Sequence, residues 1–141
     1  MKARLRIRIG SPCQNAYYSN NRGTVWRTRK LYDLAIPDFN AAIRLNPEYD
    51  PRLDDAYLSR AWLLASCPNT KYRDPRKAVE SATSACELTD WHEAHDLGGL
   101  AAVYAETGNV AAALKWQSKA IEVMTAGDKT KIKEFFALGH P

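Results

Sequence analysis

The one place where metal-type ligands gather is Trp91-His92-Glu93-Ala94-His95-Asp96. A helical zinc-protease site needs two histidines four residues apart, so that both project from one face; His92 and His95 are three apart. His92 and Asp96 have the four-residue spacing, but no third ligand accompanies them. The expected reading is an exposed helix start, with acidic side chains near the positive end of its dipole. No glycine-rich phosphate loop and no Gly-x-Ser-x-Gly elbow occurs. The three histidines, His92, His95 and His140, all fall late in the chain, and no serine or cysteine has a discernible His/Asp partner. Cys13, Cys67 and Cys86 are odd in number and lack Cys-x-x-Cys spacing, which points to neither a disulfide framework nor a zinc site. Cys67 and Cys86 flank one turn, but Cys86 falls near the far end of the second helix, and a bridge needs Cα atoms within ~7 Å. Buried small hydrophobes are expected instead. No catalytic residue, metal or cofactor is therefore expected, and the chain is not expected to be an enzyme.

Charge supplies the other candidate chemistry. Residues 1–30 carry eight basic side chains and no acidic one, whereas the remainder carries 12 basic and 16 acidic. A basic segment with Tyr17, Tyr18 and Trp26 interleaved could meet nucleic acid or an anionic surface. Within residues 1–15, Leu5, Ile7 and Ile9 alternate with Arg4, Arg6 and Arg8 at the period of a strand. No second strand is available to pair with it, so a disordered basic arm is expected. No run of ~18 apolar residues suggests a membrane span, and the interrupted N-terminal stretch lacks the apolar core of a secretory signal. A cytoplasmic location is the expectation.

The elements that must position any site are helices. Leu97, Leu100, Ala101 and Tyr104 recur at three- and four-residue steps, as on one face of a helix. Gly108 fits a left-handed C′ position and Asn109 fits the cap of a following helix, along which Ala113, Leu114, Trp116, Ala120, Ile121 and Met124 form the matching stripe. One such hairpin has too little apolar surface to stand alone, so further pairs are expected.

The spacing of Leu100, Ala101, Tyr104, Gly108, Ala113 and Ala120 resembles the tetratricopeptide repeat, a 34-residue helix–turn–helix unit. It recurs in Gly23, Trp26, Ala35, Phe39, Ala42 and Pro47, and less regularly in Tyr57, Ala61, Leu64, Ala78, Ala82 and Ala85. The middle and last copies, from Ala61-Trp62-Leu63-Leu64-Ala65-Ser66-Cys67-Pro68 onward, are similar to a longer bacterial variant of the family. The resemblance implies an all-α, right-handed α-solenoid of three hairpins, over residues 16–49, 53–89 and 91–126. The helix expected from about Leu53 to Ser66 leaves almost no polar face, and an inserted loop follows it over 66–74. Asp74-Pro75 reads as a cap followed by a first-turn proline. A separate helix from Asp128 through Leu138, with Ile132, Phe135, Phe136 and Leu138 on one face, is expected to cap the array, so that residues 127–141 form the capping helix and tail.

In this family the first helix of each repeat lines a concave groove. The resemblance therefore implies Tyr17, Asn20, Thr24 and Arg27, then Leu58 and Trp62, then His95 and Ala102 as its lining. For Trp62 the alternative is core packing beneath the inserted loop. The implied function is that of a non-catalytic scaffold binding a peptide or protein of unknown identity, with nucleic-acid or anionic-surface binding through residues 1–30 as the rival. Self-association through the first hairpin is a further expectation.

Overall fold

The computed structural model describes residues 12–45 and 53–137. Their regular structure is helical throughout: α1 (Pro12–Thr28), α2 (Tyr32–Leu45), α3 (Leu53–Ser66), α4 (Pro75–Leu88), α5 (Ala94–Glu106) and α6 (Val110–Ala137), with a 3₁₀ turn at Thr70–Tyr72. No strand occurs among the described residues. The strand-like alternation of Leu5, Ile7 and Ile9, the closing Pro47, and Leu138 lie outside the described residues, as do the side chains of Ile132, Phe135 and Phe136. Helix α1 starts at Pro12, inside the segment expected to be an arm.

Neighbouring helices pack on each other, most closely as α1 with α2, α3 with α4 and α5 with α6. Each pair runs antiparallel. Arg22 meets Asp38, a Cβ at Gly23 would lie against Phe39 and the Ala35 carbonyl, and Ala16 borders the same cleft as Ala42. In the second pair Arg60 meets Ser81; in the third, Ala105 and Val110 lie at one end of a shared groove and Gly98 and Gln117 at the other.

The helix ends explain why the chain reverses where it does. At three of them an N–H reaches back five residues to close the last turn: Leu31 to the Trp26 carbonyl, Trp91 to Cys86 and Asn109 to Tyr104. That closure requires a left-handed residue just before the donor. Gly108 supplies it at φ +90°, as its sequence position suggested, while Lys30 at +62° and Asp90 at +50° do so with a Cβ in the way. The new helices are then capped. Asp74 accepts from the Lys77 N–H ahead of Pro75, and Asn109 Oδ1 accepts from the Ala112 N–H at 3.1 Å.

Alanines let the layers approach. Ala61, Ala78, Ala82, Leu97, Leu100 and Val103 share the largest buried cluster, and Ala35, Phe39, Leu63 and Cys67 form a second one. Cys67 and Cys86 are both buried free thiols in different clusters. Ala35 and Ala78 are fully buried, but Ala113 is only half-buried, because no helix beyond α6 covers the last hairpin among the described residues. Arg60 ties three helices together, donating from Nε to Ser81 Oγ in α4 and from a terminal nitrogen to Asn40 Oδ1 in α2, each at 3.0 Å.

Two expectations are corrected. No break occurs at Gly127-Asp128: α6 continues as one 28-residue helix to Ala137, since nothing after Met124 interrupts its i to i−4 bonding. The inserted loop does not bury Trp62, which stays 41% exposed. The loop is instead held against α2 and the end of α3, where Tyr72 packs on Tyr32 at a 5.9 Å ring separation and Arg73 Nε donates to the Cys67 carbonyl at 2.6 Å.

Candidate functional site: the row of α1, α3 and α5

The first helices of the three pairs lie side by side and run the same way. Ala16 and Asn20 of α1 share a cleft with Leu53 and Ala56 of α3, and Arg27 near the end of α1 shares one with Leu63 and Ser66 near the end of α3. From α3 to α5 the register continues. His95 Nε2 is 3.9 Å from Asp55 Oδ1, and a Cβ on Gly99 would stand 2.7 Å from Leu58 Cδ2. Such close approach makes Gly99 the seat of a leucine and leaves the row without a gap at its middle.

The eight residues implied as groove lining divide among several surroundings. Tyr17 and Asn20 line a cleft of about 250 Å³ together with Asp55. Arg27 and Trp62 line a second depression of about 290 Å³ with Tyr32 and Pro68. His95 sits exposed beside Asp55. Thr24 is turned back on its own helix, its hydroxyl donating to the Asn20 carbonyl at 3.1 Å. Leu58 packs against the main core and Gly99, so it is an interhelical contact and not free lining. Ala102 borders a third depression of about 340 Å³, between α5 and α6 at the open end of the molecule. The structure therefore brings together Tyr17 with Asn20 and Arg27 with Trp62, and separates Ala102 from both.

The basic segment loses a charge to the fold. Arg22 makes a two-pronged bond to Asp38, both contacts 2.8 Å, with Asp38 nearly buried. Donating to the Asp38 carboxylate raises the guanidinium pKa above its ordinary value. Such a pair fixes α1 on α2 and offsets the charge of a half-exposed guanidinium.

The stretch with His92 and His95 packs differently from the exposed helix start expected of it. His92 precedes α5 in the linker, donating its N–H to the Thr89 carbonyl. Asp96, expected on an exposed helix start, is instead fully buried in the first turn of α5. Its Oδ2 accepts from Thr89 Oγ1 at 3.0 Å, while Oδ1 has no donor. Burial, together with the adjacent Asp54 carboxyl at the start of α3, pushes the Asp96 pKa up to about 7. A carboxyl in that state carries the proton that the Asp54 contact needs. The signal was present: Asp96 shares the helical face of Leu100 and Val103. Burial also pushes the Cys86 thiol up to about 12, which removes it as a nucleophile. Among the described residues no three His, Cys, Asp or Glu side chains converge as metal ligands, and no helix is long and apolar enough to cross a membrane.

No protein-family model matches the chain, and no curated protein matches it.

Proposed function

We propose that the chain is a tetratricopeptide-type solenoid, right-handed and built from three hairpins, acting as a non-catalytic interaction module whose ligand-binding face is the row of α1, α3 and α5. The observation that carries this reading is the packing asymmetry between the two rows of helices. α3 packs on α5 and, less extensively, α1 on α3, and both contacts exceed any between α2 and α4 or between α4 and α6 among the described helices. A stack that is tight along one row and open along the other curves toward the tight row, and such curvature gives repeat arrays an extended concave surface. The recurrence of one turn geometry at Lys30 and Gly108, each two residues ahead of a second helix, supports a repeated unit.

On this face Trp62 beside Arg27 is the natural anchor point, because a half-exposed indole next to a cation supplies apolar area and a charge in one place. The ligand class that fits is a peptide segment with one apolar anchor and an adjacent acidic group. The test is affinity capture from the source cell with the full chain, with Arg27→Glu and with Trp62→Ala. Loss of the same captured proteins in both variants supports the reading. Identical captured sets in all three mean that this part of the row is unused. The rival, nucleic-acid or anionic-surface binding through residues 1–30, predicts instead a salt-steep affinity that survives Trp62→Ala and vanishes when residues 1–11 are removed.

A further inference from the structure

The junction of α3 with α5 holds a buried acid that the groove reading does not use. Asp96 is fully buried in the first turn of α5. Thr89, at the end of α4, donates to its Oδ2, while its Oδ1 receives no hydrogen bond. A buried carboxyl oxygen without a donor is tolerated far better on a neutral group than on an anion. Among the described residues, the charged groups that act on Asp96 most strongly are Asp54 in the first turn of α3 and Glu93 at the cap of α5, and both are acidic. The other neighbouring elements supply no counter-charge. From α4 come the Cys86 thiol, which burial keeps protonated, and Glu87; the linker adds Asp90 and His92. Further along α3, Arg60 lies over Tyr57 and is bonded to Ser81 and Asn40. Helix α6 adds the uncharged Ala120 and Val123 to the adjoining core, and its Lys119 and Glu122 pair with each other.

Two successive residues of α3 have different neighbours. Asp54 acts on Asp96, whereas Asp55 lines the cleft of about 250 Å³ that Leu53 and Ala56 share with Tyr17 and Asn20 of α1. The first turn of α3 is therefore a common wall, with the buried acid on one side and the cleft on the other. We propose that Asp96 is the sensing group of a pH-operated latch, closed in acid and released in alkali, that holds the first turn of α3, and with it one wall of the α1–α3 cleft, against the start of α5.

In the closed form a protonated Asp96 donates to the Asp54 carboxylate. Once that proton is lost to solvent, two anions face each other, and one of them must move into water. Asp96 is held by Thr89 and sits beside buried Leu97. Asp54 is half-buried in a terminal turn, where opening costs least. With it go Leu53, Asp55 and Ala56, as far as Leu58, which packs on Gly99 and marks the pivot. The Thr89 bond by itself favours the charged form, but burial and the two acids outweigh it. The closed form keeps the proton up to about pH 7, and the open form, with the group in water, releases it near pH 4. Closure is thus favoured in acid and weakens as pH rises. His95, 3.9 Å from Asp55, acts in the same direction, because only a protonated imidazole attracts the carboxylate; both groups are exposed, so its share is small. The inference is independent of the groove reading, since the latch moves whether or not a peptide enters the cleft.

Native-state hydrogen exchange on the full chain tests the latch. The N–H groups of Tyr57 and Leu58 have their helical acceptors in the first turn of α3, so they report its opening. After correction for the intrinsic exchange rate, their protection should fall about tenfold between about pH 6 and about pH 8. The fall should depend little on dilute urea, because a one-turn opening exposes little surface. Asp96→Asn should remove the pH dependence. Asp54→Asn, whose amide can donate to Asp96, should move it to lower pH, and His95→Gln should leave most of it in place. Protection that is flat with pH, the same fall in Asp96→Asn, or loss of the fall in His95→Gln would each overturn the proposal. So would a fall as steep in urea as global unfolding, which would mean that Asp96 acts only on the stability of the whole chain.

Discussion

Replacing Asp96 by asparagine should make the protein more stable at neutral and alkaline pH and leave it nearly unchanged in mild acid. The Asp96 side chain is fully buried, its Oδ1 has no hydrogen-bond donor, and the Asp54 carboxyl acts on it to raise its pKa. Two carboxylate oxygens cannot bond without a proton between them. The folded chain therefore holds that proton up to about pH 7, whereas the unfolded chain releases it near pH 4. Between these values the native state binds more protons than the unfolded state, so the contribution of Asp96 is fully present below about pH 4, falls as pH rises, and is gone above about pH 7. Three pH units at 1.36 kcal/mol each set a ceiling of about 4 kcal/mol. Relaxation around the charged pair brings the expected difference to roughly 2 to 3 kcal/mol. Asparagine keeps the acceptor for Thr89 and offers Asp54 an N–H without a charge. Urea denaturation followed by circular dichroism, on both proteins from about pH 4 to about pH 8, reads the effect of the Asp96–Asp54 pair, because titrations not coupled to that pair cancel in the difference. A difference that stays flat with pH, or grows toward acid, would refute the reasoning.

Other perturbations read the packing. Gly23→Ala should destabilise by about 1 to 2 kcal/mol, because its Cβ would stand 2.8 Å from the ring of fully buried Phe39. Gly99→Ala should be within about 0.5 kcal/mol of neutral, since the obstructing atom is a terminal methyl of half-buried Leu58 and the helix gains propensity; denaturation midpoints compare the two. Lys30→Gly should raise stability by about 0.5 to 1 kcal/mol by relieving a positive φ of 62°, readable as a higher midpoint at unchanged slope. Arg60→Ala should cost about 1 to 3 kcal/mol by stranding the buried Ser81 hydroxyl and Asn40. Arg60→Lys should recover little, because an ammonium cannot fork to both.

Local chemistry was legible from the chain alone. The bounds of α3, the Asp74-Pro75 start of α4 and the Gly108-Asn109 reversal all rest on interactions within a few residues, and short-range rules suffice for those. So did the burial of Ala35, Ala78 and both helical-pair cysteines, since small apolar residues at helical spacing have one favourable place to go. The tertiary structure decided what depends on which helix stands opposite. Leu58 became a packing residue because Gly99 of α5 faces it, and Trp62 stayed open because the loop found Tyr32 instead. Asp96 was drawn inside because its helical face belongs to the core and Asp54 and Thr89 meet it there. The continuity of α6 through Gly127 is likewise a balance between a glycine's modest helix penalty and the bonding on either side. A residue's type and spacing state what it can do, and the groups that fold against it from distant parts of the chain decide whether it does so in water or in the core.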